Sequence, residues 1–127
     1  VIYLKKIMVV DDDTDQIYTI NQILNGSDEE YEVIGATGGK ECLDLLNQNK
    51  VPDLILLDIM MPDMSGWDLV KKLKKTPWKD IPVVFLSART NKIAKSAGCF
   101  YGVDYIEKPF DIEDLKRRID RILENFG

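Results

Sequence analysis

Five short apolar runs, each closed by a polar residue, alternate along the chain with stretches in which apolar positions return every three or four residues. The runs are 6–10 (Lys-Ile-Met-Val-Val), 31–36, 54–57 (Leu-Ile-Leu-Leu), 81–86 and 103–107. Short apolar runs bounded by turn residues predict strands, and runs without polar alternation predict strands covered on both faces. Between them, Ile17, Ile20, Ile23 and Leu24 predict a helix ending at Gly26, and Cys42, Leu43, Leu45 and Leu46 predict a second one starting near Gly38. Trp67, Leu69, Val70 and Leu73 predict a third helix, with Ser65 as its cap and Asp68 three residues on. Ile93, Ala94 and Ala97 give only a thin stripe, for a helix over 91–97 that Gly98 closes. The last helix opens on Asp111 as cap, and Ile112, Leu115, Ile119, Ile122, Leu123 and Phe126 supply its apolar face.

Five strands alternating with five helices predict an α/β fold: a doubly wound, flavodoxin-like (βα)5 three-layer sandwich around a parallel sheet of order 2-1-3-4-5. In such sheets ligands meet the carboxyl ends of the strands where the winding reverses, here between strands one and three. Those ends carry Asp11, Asp12 and Asp13 on one strand and Asp58 on the other. The 127 residues, taken as one domain over 1–127, suffice for a core without disulfides or metal.

Composition narrows the chemistry. Hydrophobic residues make up 45% and charged ones 31%, and no run approaches the length of a membrane span. Cys42 and Cys99 lie far apart with no metal-like spacing, which suggests free thiols in a reducing compartment. With no signal-like start at Val1–Lys6, the expected location is the cytoplasm. A net charge of −5 argues against direct nucleic-acid binding, so the basic run Lys71-Lys72-Leu73-Lys74-Lys75 reads as a solvated helix end. The chain has no histidine, which removes His-ligated metals and His-dependent nucleophilic catalysis. Carboxylates, hydroxyls and lysine are left.

One aspartate at a strand end commonly caps the next helix; three in a row opposite Asp58 ask for more. Hard oxygen donors without His or Cys point to Mg2+, a cation suited to sites completed by a phosphate. Ser87 and Lys108 close strands four and five on the same rim, where a hydroxyl and an ammonium suit two further phosphoryl oxygens. The set reads as a phosphoryl-accepting aspartate with its metal and oxyanion partners.

The acidic triplet, Asp58-Ile-Met-Met-Pro-Asp-Met-Ser-Gly, Ser87-Ala88 and Lys108-Pro109-Phe110, in that order and at strand ends, resemble the CheY-like receiver domain of two-component response regulators. The resemblance covers nearly the whole chain. It implies that Asp58 is phosphorylated. It implies Mg2+ bound by Asp58, by Asp12 directly, by Asp11 mainly through water, and by the backbone carbonyl of Met60. Ser87 is then the switch hydroxyl, Lys108 its ionic partner before a cis Lys108-Pro109 bond, and Tyr105 the aromatic that turns inward. Met60 and Arg89 fall where the family tunes the lifetime of the aspartyl phosphate. Implied partners are a sensor histidine kinase or phosphotransfer protein upstream, and an effector protein or fused output domain downstream. The output face would be the 91–97 helix, strand five and the last helix, and this face could also pair two copies as a homodimer. The segment from Ser87 to Lys108 is shorter than the family's usual spacing, and Gly102-Val103-Asp104-Tyr105 replaces the common Gly-Ala-Asp-Asp-Tyr, so partner choice is less specified than chemistry.

Two rivals remain open on the sequence. A phosphorylation-independent pseudo-receiver, a pure interaction module, predicts the loss of site residues, and none is lost. A Mg2+-dependent phosphatase with an aspartyl nucleophile wants Asp-x-Asp, whereas Met60 stands two residues after Asp58.

Overall fold

The structure, a computed structural model, describes residues 4–26, 30–87, 104–107 and 110–126, with the side chains of 87, 104, 125 and 126 outside that description. Its elements are β1 (Lys5–Val10), α1 (Thr14–Asn25), β2 (Tyr31–Ala36), α2 (Gly39–Asn47), β3 (Leu54–Asp58), α3 (Gly66–Leu73), β4 (Val83–Ser87), β5 (Asp104–Glu107) and α4 (Ile112–Phe126). The helix expected over 91–97 lies outside the described residues. All strand pairs are parallel, in the order β2-β1-β3-β4-β5 that the alternation of elements predicts.

The central strands show why the sheet is sealed on both sides. Successive side chains of a strand point to opposite faces, so an unbroken apolar run must meet a hydrophobic layer on each. Met8, Val10, Ile55, Leu57 and Phe85 join Cys42 and Leu46 of α2 and Leu69, Val70 and Leu73 of α3 in one core. Their neighbours Ile7, Val9, Leu54, Leu56, Val84 and Leu86 join Ile20 and Leu24 of α1 and Leu115, Ile119 and Leu123 of α4 in the other. Odd and even positions of one strand thus belong to different cores. The three-layer sandwich follows.

Local signals set most boundaries. The Asp13 carboxylate accepts the Asp15 N–H at 2.9 Å and opens α1, and Gly26, with φ of 48°, ends it by donating its N–H to the Gln22 carbonyl at 2.8 Å. Ser65 Oγ accepts the Asp68 N–H at 3.1 Å, and Asp111 Oδ1 accepts the Glu113 N–H at 2.8 Å, as the sequence leads one to expect. Two expectations need correction. β4 begins at Val83 and not at Ile81, because Pro82 has no N–H to give a ladder; its carbonyl still accepts the Ile55 N–H at 3.0 Å. Ile112, assigned to the apolar face of the last helix, is 54% exposed, since the first turn of α4 stands at the rim where β5 has already ended.

Candidate functional site

β1 and β3 lie side by side with Val10 opposite Leu57, so the residues that follow, Asp11 just past β1 and Asp58 closing β3, stand next to each other at the carboxyl edge of the sheet. Asp11 is held by its backbone, whose N–H donates to the Ala36 carbonyl of β2 at 3.0 Å, and it is only 4% exposed. Its carboxylate accepts the Asp13 N–H at 2.9 Å, which couples it to the start of α1. Asp12 is exposed and Asp58 half-buried. One carboxylate oxygen from each of Asp11, Asp12 and Asp58 lies within 4.8 Å of the others. Three carboxylates at that separation repel one another, and the repulsion is relieved by a cation that oxygen atoms can coordinate.

The loop after Asp58 is built to a tight tolerance. The Gly66 N–H donates to the Ile59 carbonyl at 2.8 Å and closes the loop onto the start of α3. A Cβ on Gly66 would stand 2.6 Å from the Asp58 carbonyl oxygen and 2.9 Å from Phe85 Cε1, so the glycine is what allows α3 to begin against the acidic strand end. Further along, the Asp63 carboxylate accepts the N–H groups of Lys40 at 3.0 Å and Gly39 at 3.3 Å in the first turn of α2. The Lys40 amide, ahead of an opposing effect of burial and joined by the Gly39, Met64 and Asp63 amides, holds its carboxyl below the usual carboxylate range.

A sequence model of the response regulator receiver domain matches residues 7–120. The chain belongs to the response regulator receiver domain family. Over 121 residues it is 38% identical to the transcriptional regulatory protein CpxR of Escherichia coli K12, covering 94% of this chain and 50% of CpxR. It is also 38% identical to histidine kinase P4 of Formosa agariphila over 121 residues, 94% of this chain and 8% of that protein. The chain therefore spans half or less of these curated relatives. Among solved structures, a CheY-like response regulator receiver domain protein from Methanospirillum hungatei JF-1 superposes with a TM-score of 0.85 at 31% identity, covering 98% of this chain and 97% of that one. The receiver domain of Francisella response regulator 1452 gives 0.84 at 33% identity, covering 97% and 99%. As a receiver domain of two-component response regulators, this chain is a phosphoacceptor signalling domain, a switch by kind.

Of the residues singled out from the sequence, the receiver domain brings Asp11, Asp12 and Asp58 together. Ser87 ends β4, one residue past Leu86, the partner of Asp58 in the ladder; its side chain is outside the description. Lys108, with the Lys108-Pro109 bond, and Arg89 lie outside the described residues. Tyr105 is half-buried, beside Phe85 in the ladder and packed on the core that α2 and α3 share, and its carbonyl accepts a bond from Arg118 Nη2 at 2.8 Å. Met60, two residues past Asp58, is 79% exposed. Reading the sequence did not assign Asp63 a role. The signal for it is oblique: α2 opens on two glycines, so its first amides need an acceptor from elsewhere.

Proposed function

We propose that this receiver domain takes a phosphoryl group on Asp58 from the phosphohistidine of a sensor kinase or phosphotransfer protein. The observation that carries the reading is the trio of carboxylates, within 4.8 Å of one another, at the ends of adjacent parallel strands. A carboxylate oxygen of Asp58 attacks phosphorus, the N–P bond of the donor breaks, and the departing imidazole keeps the electron pair and takes a proton. Asp11, Asp12 and Asp58, with the Met60 carbonyl, would hold Mg2+, and their all-oxygen chemistry fits that cation. When bound, Mg2+ supplies positive charge against the phosphoryl oxygens and orients in-line transfer. Ser87 and Lys108, at and just after the ends of β4 and β5, donate to two further phosphoryl oxygens.

The new dianion draws the Ser87 hydroxyl toward it, and Tyr105 turns into the space behind. The face that carries β5 and α4 then changes its affinity for an effector, an output domain or a second copy of the chain. The proposed setting is cytoplasmic; among the described residues no helix is long and apolar enough to cross a membrane. In this proposal Met60 and Arg89 set the lifetime of the aspartyl phosphate, the bulky, apolar Met60 hindering the attacking water; its 79% exposure leaves it open to that water.

The test is incubation with Mg2+ and acetyl phosphate or beryllofluoride, followed by Trp67 fluorescence and intact mass. Fluorescence quenching and a gain of one phosphoryl, both lost in Asp58→Ala, are expected, as is faster phosphate loss in Met60→Asn. No response from the wild type leaves the pseudo-receiver, and steady turnover of phosphate esters with Asp58 as nucleophile leaves the phosphatase.

A further inference from the structure

The loop after the phosphoacceptor strand is fastened at a point away from the carboxylate trio, by a residue without a part in the chemistry above. α2 begins at Gly39 with Gly38 as its cap residue, and neither offers a side-chain acceptor to the free amides of the first turn. Asp63 supplies that acceptor from the loop between β3 and α3, taking the Lys40 and Gly39 N–H groups at 3.0 and 3.3 Å. The two glycines make room for it. A Cβ on Gly38 would stand 2.8 Å and 2.9 Å from the Asp63 carboxylate oxygens, and one on Gly39 would overlap the Met64 side chain. An anion at a helix N-terminus is favoured by the helix dipole as well as by the two bonds.

We infer that Asp63 is a positioning residue for the phosphoacceptor loop: by capping α2 from outside, it holds residues 59–64, and with them the Met60 carbonyl, in the conformation that serves the cation site. The loop is already closed at its ends by the bond from the Gly66 N–H to the Ile59 carbonyl, so Asp63 is the tie at its middle. Without it, Met60 to Met64 would sample more conformations before any cation or phosphoryl group could be held, and affinity would fall accordingly. This inference rests on the phosphoacceptor reading.

Amide exchange in the metal-free protein and Mg2+ titration followed by Trp67 fluorescence test it together, on wild type, Asp63→Ala, Asp63→Asn and Gly38→Ala, with circular dichroism to verify folding. Asp63→Ala should speed exchange at Gly39 and Lys40 and raise the Mg2+ dissociation constant roughly two- to tenfold, the lower range that a lost cap converts to. Asparagine caps nearly as well as aspartate, so Asp63→Asn should stay within about twofold of wild type. Gly38 has extended backbone, φ 176°, that any residue adopts, so Gly38→Ala tests space alone and should reproduce Asp63→Ala. The double variant should add little to either single one, because both remove the same tie. Faster exchange with unchanged Mg2+ affinity would reduce Asp63 to a helix cap and overturn the inference, as would equal losses in Asp63→Ala and Asp63→Asn. A wild type that binds no Mg2+ overturns the phosphoacceptor reading first, and is seen before any variant is made.

Discussion

Replacing Gly66 by alanine sets two effects against each other. Gly66 is the first residue of α3, and alanine in a helix is favoured over glycine by up to about 1 kcal/mol, much of it through the unfolded chain. Against this, the new Cβ would lie 2.6 Å from the Asp58 carbonyl oxygen, 3.1 Å from Ile59 Cα and 2.9 Å from Phe85 Cε1. The first two are backbone atoms at the end of β3 and just past it, which cannot swing aside as the far end of a side chain can. Phe85 is fully buried, and its ring centroid sits 4.3 Å from that of Trp67, so the ring has nowhere to go either. The start of α3 must move instead. Overpacking of this kind costs about 1–3 kcal/mol. Two of the three contacts lie below 3.0 Å, which puts the cost in the upper part of that range, so the clash outweighs the helical gain for a net loss of roughly 1–2 kcal/mol and a fall in Tm of about 3–8 °C for a domain of this size. Thermal and urea unfolding of Gly66→Ala measure it, with an unchanged urea m-value as the sign that the denatured state is unaffected. A variant as stable as wild type would show that the start of α3 yields freely, which refutes the tight mount for Asp58. Phosphoryl uptake should fall in parallel, because the start of α3 that moves is bonded, through the Gly66 N–H and the Ile59 carbonyl, to the residue after the acceptor.

Two further outcomes follow from titratable groups away from the site. Asp120 on α4, which accepts a bond from the Tyr31 hydroxyl, has its pKa raised by burial first and then by the charges of Glu30 and Glu124. A raised folded pKa means that the folded state holds the proton more tightly, so the stability this group lends is full at pH below the ordinary aspartate value and is lost as pH rises through the folded one. Asp120→Asn keeps an acceptor for Tyr31 and removes that loss; its Tm should exceed that of wild type at pH 7, the difference shrinking toward pH 4, and a lower Tm at pH 7 would count against the reasoning. Burial pushes the Cys42 thiol up to about 12, so alkylation mapped by mass spectrometry should spare Cys42 in the native protein and reach it only on unfolding. Rapid native labelling there would contradict the packing of α2.

The strands were legible because the evidence for them is local, and their order came with the doubly wound rule for alternating strands and helices. Leu54 to Leu57 can satisfy an unbroken apolar run only between two layers, and Asp11 and Asp58 end adjacent strands whichever way the helices are tilted. The caps at Ser65 and Asp111 are equally local. Less legible was what depends on contacts between segments far apart in the chain. Ile112 has the spacing of a core residue, but whether sheet lies beneath it depends on where β5 stops. Pro82 sits inside an apolar run, and only pairing shows that the ladder starts after it. Asp63 looks like one more polar residue in a loop; its partners are 23 and 24 residues away, on a helix whose cap and first residue are both glycines. A glycine pair at a helix start is a weak sign of such a partner, since it says that something comes close without saying what.

The same distinction bears on how a charge placed on Asp58 reaches the far edge of the sheet. The Asp58 carbonyl and Phe85 Cε1 both crowd Gly66; Phe85 stands beside Tyr105 in the ladder on the same face; Tyr105 in turn is tied through its carbonyl to Arg118 of α4, which packs on the opposite layer. Contact from acceptor to edge strand is thus continuous among buried or half-buried groups. Continuity is necessary for coupling and does not establish it, because coupling needs an element with two arrangements. In this chain the candidate is Tyr105, whose neighbours are a rigid, fully buried ring on one side and, on the other, an edge free of a further strand among the described residues. If the message leaves through β5, Gly66→Ala should disturb Tyr105 as well as Asp58, and the aromatic resonances of Tyr105 should shift with those of Phe85 in the unphosphorylated variant.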